Sequence, residues 1–144
     1  MTTAHHLHLI DAMRTSAFPT ERTRSGSGVS GPGYHTASLH AEVDHWDDDE
    51  ARRLEHRAQC LAEHDALLTL LAGRWGEPQS ISLWSAQERM IVGEEIPEAW
   101  ADTVAGCEFL QLWRVGGRWI GIGLYLEEGP GCELNVVVTE IDPP

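Results

Sequence analysis

The sequence predicts an α+β fold: one long N-terminal helix packed on a four-stranded, mostly antiparallel sheet, with a short helix between strands 1 and 2. Three observations carry this. Apolar residues recur at helical spacing between Asp48 and Ala72, strand-like apolar segments fill the chain after residue 105, and Gly116-Gly117 joins two of these segments as a hairpin. A chain of 144 residues fits one domain and can bury a core without disulfide staples.

The elements follow in order. Residues 1–45 read as a flexible Gly/Ser/His-rich arm, because Ser25-Gly-Ser-Gly-Val-Ser-Gly-Pro-Gly33 has no sustained apolar period. Residues 46–144 read as a single α+β domain, and Met13 is an alternative start. Asp47 and Glu50 have the spacing of a capping box, and Leu54, Ala58, Leu61, His64, Leu68 and Leu71 form one helical stripe. Gly73 is the expected stop, so the helix from Asp48 to Ala72 is about 37 Å long. Ser80–Trp84 alternates as a short strand, and Pro97–Val104 reads as a short helix with Pro in its first turn. A two-residue loop pairs Val115 with Arg118, setting Trp113 opposite Ile120 and Leu112 opposite Gly121. Cys132–Ile141 is a final Val-rich strand.

That register sorts the hairpin into two faces. Phe109, Gln111, Trp113, Val115, Ile120, Ile122, Leu124 and Leu126 form the expected core face. Arg114, Trp119, Gly121, Gly123 and Tyr125 lie on the other, with Leu110 and Leu112. Two glycines on one strand face imply that something approaches closely. Trp119 or a crossing segment of this chain is the favoured occupant. The alternative is an aromatic ligand or a partner's side chain in a groove floored by these residues, which would make the chain a small-molecule-binding domain or an enzyme using the Arg114, Trp119 and Tyr125 face.

Composition excludes several chemistries. All ten basic residues are Arg, so no phosphate-loop, Schiff-base or protein-kinase lysine exists. The formal charge of −13 opposes binding to nucleic-acid phosphates or an anionic membrane surface. The charge is uneven: Arg14, Arg22 and Arg24 against Asp11 and Glu21 leave residues 1–40 at +1, and the remainder carries −14. Missing Lys and a single Asn point to a GC-rich genome. Three cysteines without CxxC spacing predict no disulfide framework. With no secretory signal pattern and no long apolar run, a cytoplasmic location is expected.

No catalytic motif is found, and no cofactor is expected. There is no Gly-x-Ser-x-Gly elbow, and the Gly116–Gly123 run lies in a hairpin rather than at a helix start. Glu94, Glu95, Glu127 and Glu128 read as solvated acids rather than a paired-carboxylate centre. His56, Cys60 and His64 stand at i, i+4 and i+8; the outer two are about 12 Å apart along a helix, so packing is favoured over metal binding. His5, His6 and His8 read as a polar tail. Six Trp residues include Trp46, immediately before Asp47, Asp48 and Asp49. An aromatic anchor rimmed by acids suits a basic protein partner. The expected contacts are Trp46, Asp47, Asp48, Asp49, Glu94 and Glu95. This format, a small acidic α+β chain without a catalytic motif, is similar to that of bacterial immunity proteins that neutralise basic toxins. The resemblance implies a non-enzymatic role and carries over no residue.

Overall fold

The computed structural model describes residues 2–25, 28–39, 50–126 and 132–144. In chain order these form α1 (Thr2–Thr15), β1 (Thr23–Ser25), β2 (Gly28–Gly31), β3 (Tyr34–Ser38), α2 (Glu50–Trp75), β4 (Gln79–Ser82), α3 (Trp84–Ile91), α4 (Glu98–Gly106), β5 (Cys107–Val115), β6 (Arg118–Leu126) and β7 (Cys132–Thr139). The fold is α+β, as expected. The sheet, however, has seven strands in the order β1-β2-β3-β7-β6-β5-β4, every adjacent pair antiparallel.

The three additional strands, and a helix ahead of the long one, come from the segment read as an arm. Composition misled there because its glycines serve close packing. A Cβ on Gly28 would strike the Thr36 carbonyl across the hairpin, and Gly33 turns the chain at φ 82°. Thr139 Oγ1 then donates to the Gly33 carbonyl at 2.6 Å, fastening this hairpin beside β7. His6, read as part of a polar tail, is buried, with Nε2 donating to the Leu39 carbonyl at 3.0 Å.

The predicted β5–β6 register is found, with Trp113 opposite Ile120 and Leu112 opposite Gly121. Both faces of this hairpin are core, so helices cover the sheet on two sides rather than one. On one side α1 and α2 supply Ile10, Leu67 and Leu71 against Trp113, Ile120, Ile122, Val136 and Val138. On the other, α3 and α4 supply Ala86, Trp100 and Val104 against Leu110, Leu112 and Val137. The unbroken Val136-Val137-Val138 run follows, since a strand buried on both faces needs no polar alternate.

The helices also depart in detail. The buried stripe of α2 runs through Cys60, Glu63, Leu67 and Leu71, leaving Leu54 and Ala58 exposed, because α2 packs on α1 as well as on the sheet. The helix passes Gly73 and stops at Gly76, whose φ of 89° breaks the helical path while its N–H bonds Ala72 O at 2.8 Å. Trp84 opens α3 instead of closing a strand, with its N–H donated to Ser82 Oγ at 3.3 Å. Two short helices, rather than one, therefore separate β4 from β5.

Cys60 and Cys132 form a disulfide, with Cα atoms 6.2 Å apart, joining α2 to the start of β7. This corrects the expectation from cysteine spacing. A separation of 72 residues leaves no local signature to read. Among the described residues no helix is long and apolar enough to cross a membrane.

Candidate functional site

Glycines 121 and 123 do mark a close approach, and the approaching group is α4. A Cβ on Gly121 would stand 2.9 Å from Trp100 Cζ3, and one on Gly123 would stand 2.8 Å from Cys107 Sγ, with Thr103 beside it. Trp100 is fully buried and locked by donation from Nε1 to the Ile141 carbonyl at 3.0 Å. At the margin, Arg114 stacks over the Trp119 ring at 5.1 Å and reaches Asp142 at 3.8 Å. Trp119 Nε1 donates to the same carboxylate at 3.1 Å. Tyr125 lies against Gly106. The five residues of the predicted ligand face therefore contact this chain's own α4 and C-terminal segment.

A cleft of about 260 Å³ opens beside α4, lined by Gln87, Gly106, Cys107 and Glu108 among others. Gln87 Nε2 donates to the Val104 and Cys107 carbonyls, both at 2.9 Å, so its amide is engaged in structure. Burial pushes the Cys107 thiol up to about 11, which keeps it protonated and poorly nucleophilic at neutral pH.

The predicted metal candidates do not converge. Cys60 is consumed by the disulfide, and His64 Nδ1 lies 3.4 Å from Asp65. No group of three or more His, Cys, Asp or Glu among the described residues could hold a metal ion. A Ser–His pair, missed in the sequence, stands where β2 faces β3. Ser30 Oγ is 2.6 Å from His35 Nδ1, and His35 Nε2 donates to the Ser16 carbonyl at 3.2 Å. Arg118 donates to the same carbonyl at 2.8 Å and to Met13 O at 2.9 Å, while covering the Phe18 ring at 4.0 Å. These bonds fasten the exit of α1 to the sheet. The signal was readable, since a turn at Pro32-Gly33 sets Ser30 opposite His35.

The surface offers a different feature. Trp84, Ile91 and Val92 are 65%, 83% and 82% exposed. Trp84 and Ile91 stand at i and i+7 on α3, so they share one outward stripe, with Glu88 between them on the same side. Gly93, at φ 91°, then turns the chain into Glu94 and Glu95, both exposed. Arg89 is paired with Glu94 at 3.6 Å, leaving the acids in excess. Phe109, 55% exposed, lies next to Ser82 across the β4–β5 ladder. Leu54 and Leu70 are also exposed, but they stand about 24 Å apart along α2 and form no patch. Of the predicted contacts, Glu94 and Glu95 thus border an apolar surface. Trp46, Asp47, Asp48 and Asp49 lie outside the described residues, as do Glu127 and Glu128.

Comparison with protein-family models, with curated proteins and with solved structures finds no match for this chain.

Proposed function

We propose that the chain is a non-enzymatic, acidic protein-binding domain of the immunity or antitoxin kind, engaging a basic protein through the outer surface of α3. The observation that carries this reading is the exposed Trp84–Ile91–Val92 stripe bordered by Glu88, Glu94 and Glu95. Large apolar side chains at the centre of a patch supply binding energy through desolvation, and charges at the rim raise the capture rate of an oppositely charged partner. Trp46 and the Asp47–Asp49 run extend the same chemistry. The buried thiol and the filled glycine face favour binding over catalysis. Disulfides persist mainly in oxidising compartments, so the Cys60–Cys132 bond favours such a location over the cytoplasm.

The test is affinity capture from the native host with the wild type and with a Trp84→Ala, Glu94→Gln, Glu95→Gln variant. These positions are exposed, so folding stability should change by no more than about 0.5 kcal/mol per substitution. A net-basic protein retained by the wild type, lost from the variant and released by rising salt is the expected result. A partner that is neutral or acidic, or one the variant keeps equally well, overturns the proposal.

A further inference from the structure

The two edges of the sheet are unlike. β1 is flanked and interrupted by exposed Arg22 and Arg24, the kind of charge that discourages further pairing. β4, Gln79-Ser-Ile-Ser82, carries no charge, no Pro and no bulge, and three of its four side chains are exposed. Among the described residues it pairs with β5 alone. The Leu83 N–H bonds Glu108 O at 2.9 Å, and Ile81 is set opposite Leu110 in the same ladder. In an antiparallel ladder, alternate residues direct both backbone groups to the same neighbour. Ser80 and Ser82 therefore direct their N–H and C=O groups away from β5, toward the open edge.

We infer that β4 is an acceptor edge to which an extended, basic segment of a partner protein adds as an eighth strand. This rests on the reading of the chain as a binder of basic proteins and supplies its mode. Three features fit that occupant. The outward groups of Ser80 and Ser82 offer a ladder of main-chain hydrogen bonds. The small Ser82 side chain leaves Phe109 open, about 10 Å from an added strand and within reach of a long side chain crossing over Ser82. Exposed Glu77 stands two residues before β4 and exposed Glu108 opposite Leu83 at its far end, so both ends of the edge carry an acid, whereas Arg74 before it and Arg89 after it in sequence are paired with Asp11 and Glu94. The same acids oppose a second copy of this chain, which would set like charges against each other.

The probe is acetyl-Arg-Val-Arg-Val-Arg-Val-amide, titrated into the wild-type chain with Ser80 and Ser82 amide shifts as the readout. Two isomers, N-methylated on all Val or on all Arg amides, keep charge and side chains but block opposite edges of the peptide. Strand addition tolerates one isomer and weakens the other by at least about tenfold. Ser80→Pro, which removes an outward N–H and spares the bonds to β5, should weaken the unmethylated peptide similarly. Equal affinity of the two isomers overturns edge addition and leaves an acidic binding surface standing. No binding of any basic peptide overturns the edge inference alone, with the captured partner then deciding the function. Equal binding of acetyl-Glu-Val-Glu-Val-Glu-Val-amide overturns the basic-partner reading itself. A concentration-dependent dimer broken by Ser80→Pro also overturns the inference, by making a second copy the occupant.

Discussion

On one side of the sheet α1 and α2 are tied down by polar and covalent bonds; on the other, α3 and α4 are held mainly by apolar packing. The first side has the Cys60–Cys132 disulfide, the Arg118 bonds to two carbonyls, the Arg74–Asp11 pair at 3.1 Å and Trp113 Nε1 donating to Gly76 O at 2.8 Å. The second depends on Trp100 filling the space over Gly121, helped by the Trp100 bond to the Ile141 carbonyl, the two Gln87 bonds to the Val104 and Cys107 carbonyls and an exposed Arg22–Glu98 pair at 3.3 Å. The outer surfaces differ too. Large exposed apolar side chains cluster on α3, while those on α2 are scattered. A helix that packs inward through Ala86 and Met90 yet shows Trp84 and Ile91 to solvent is apolar on two sides. Only one of those sides is needed for folding.

Removing the packing on the second side should have the largest effect. Trp100→Ala leaves a cavity over Gly121, and denaturant unfolding should show a loss of about 3–5 kcal/mol. A loss under about 1 kcal/mol would mean that α4 does not hold the sheet as described. Next comes the covalent tie. Replacing both Cys60 and Cys132 by Ala should cost about 2–4 kcal/mol. Thiol titration without reductant checks the bond directly: the native chain should show no reactive thiol at pH 8, and the unfolded chain only Cys107. Three reactive thiols on unfolding would refute the disulfide.

Arg118→Ala strips two carbonyls of a charged donor and should cost about 1–3 kcal/mol, with faster amide exchange concentrated in α1. Uniform acceleration across all helices would show that the bond is not specific to that side. The smallest effect is electrostatic. Burial raises the Asp11 pKa, but hydrogen bonds and charge from Arg74 and Arg14 outweigh it, so the carboxyl titrates below its ordinary value. Asp11 therefore contributes stability that is present above about pH 4 and lost as pH falls through the lowered value. Because the side chain is substantially exposed, Asp11→Asn should flatten the acid limb of the stability profile only slightly.

Much of the C-terminal half was legible. Gly116 and Gly117, at φ 59° and 81°, set a two-residue turn, and the register of nine-residue strands follows from it. The long α2 and the short α4 were legible from period and breakers, but α1 and α3 were not, and without α1 as its second partner the buried stripe of α2 could not be placed. The N-terminal strands are three to five residues long and depend on pairing such as Tyr34 with Thr139, which no local window contains. The uninterrupted valines of β7 were the readable sign that both sheet faces are covered. At the candidate site, Glu94 and Glu95 were picked out by charge. Trp84 was missed because alternation placed it in a strand, where its exposure could not be anticipated.

The position of β7 has a consequence for synthesis. This strand is the last of the seven to be made, yet it lies near the middle of the sheet, between β3 and β6. Until it emerges, β1–β3 and β4–β6 are separate ribbons, each with an edge that has nothing to pair with. No shorter nascent chain can close the sheet. The early ribbon waits longest, because β3 meets β7 through pairs such as Tyr34 with Thr139, which lie most of the chain apart, whereas Ile120 and Ile122 of β6 pair with the nearby Val138 and Val136. The sheet is therefore completed only when its central strand is available.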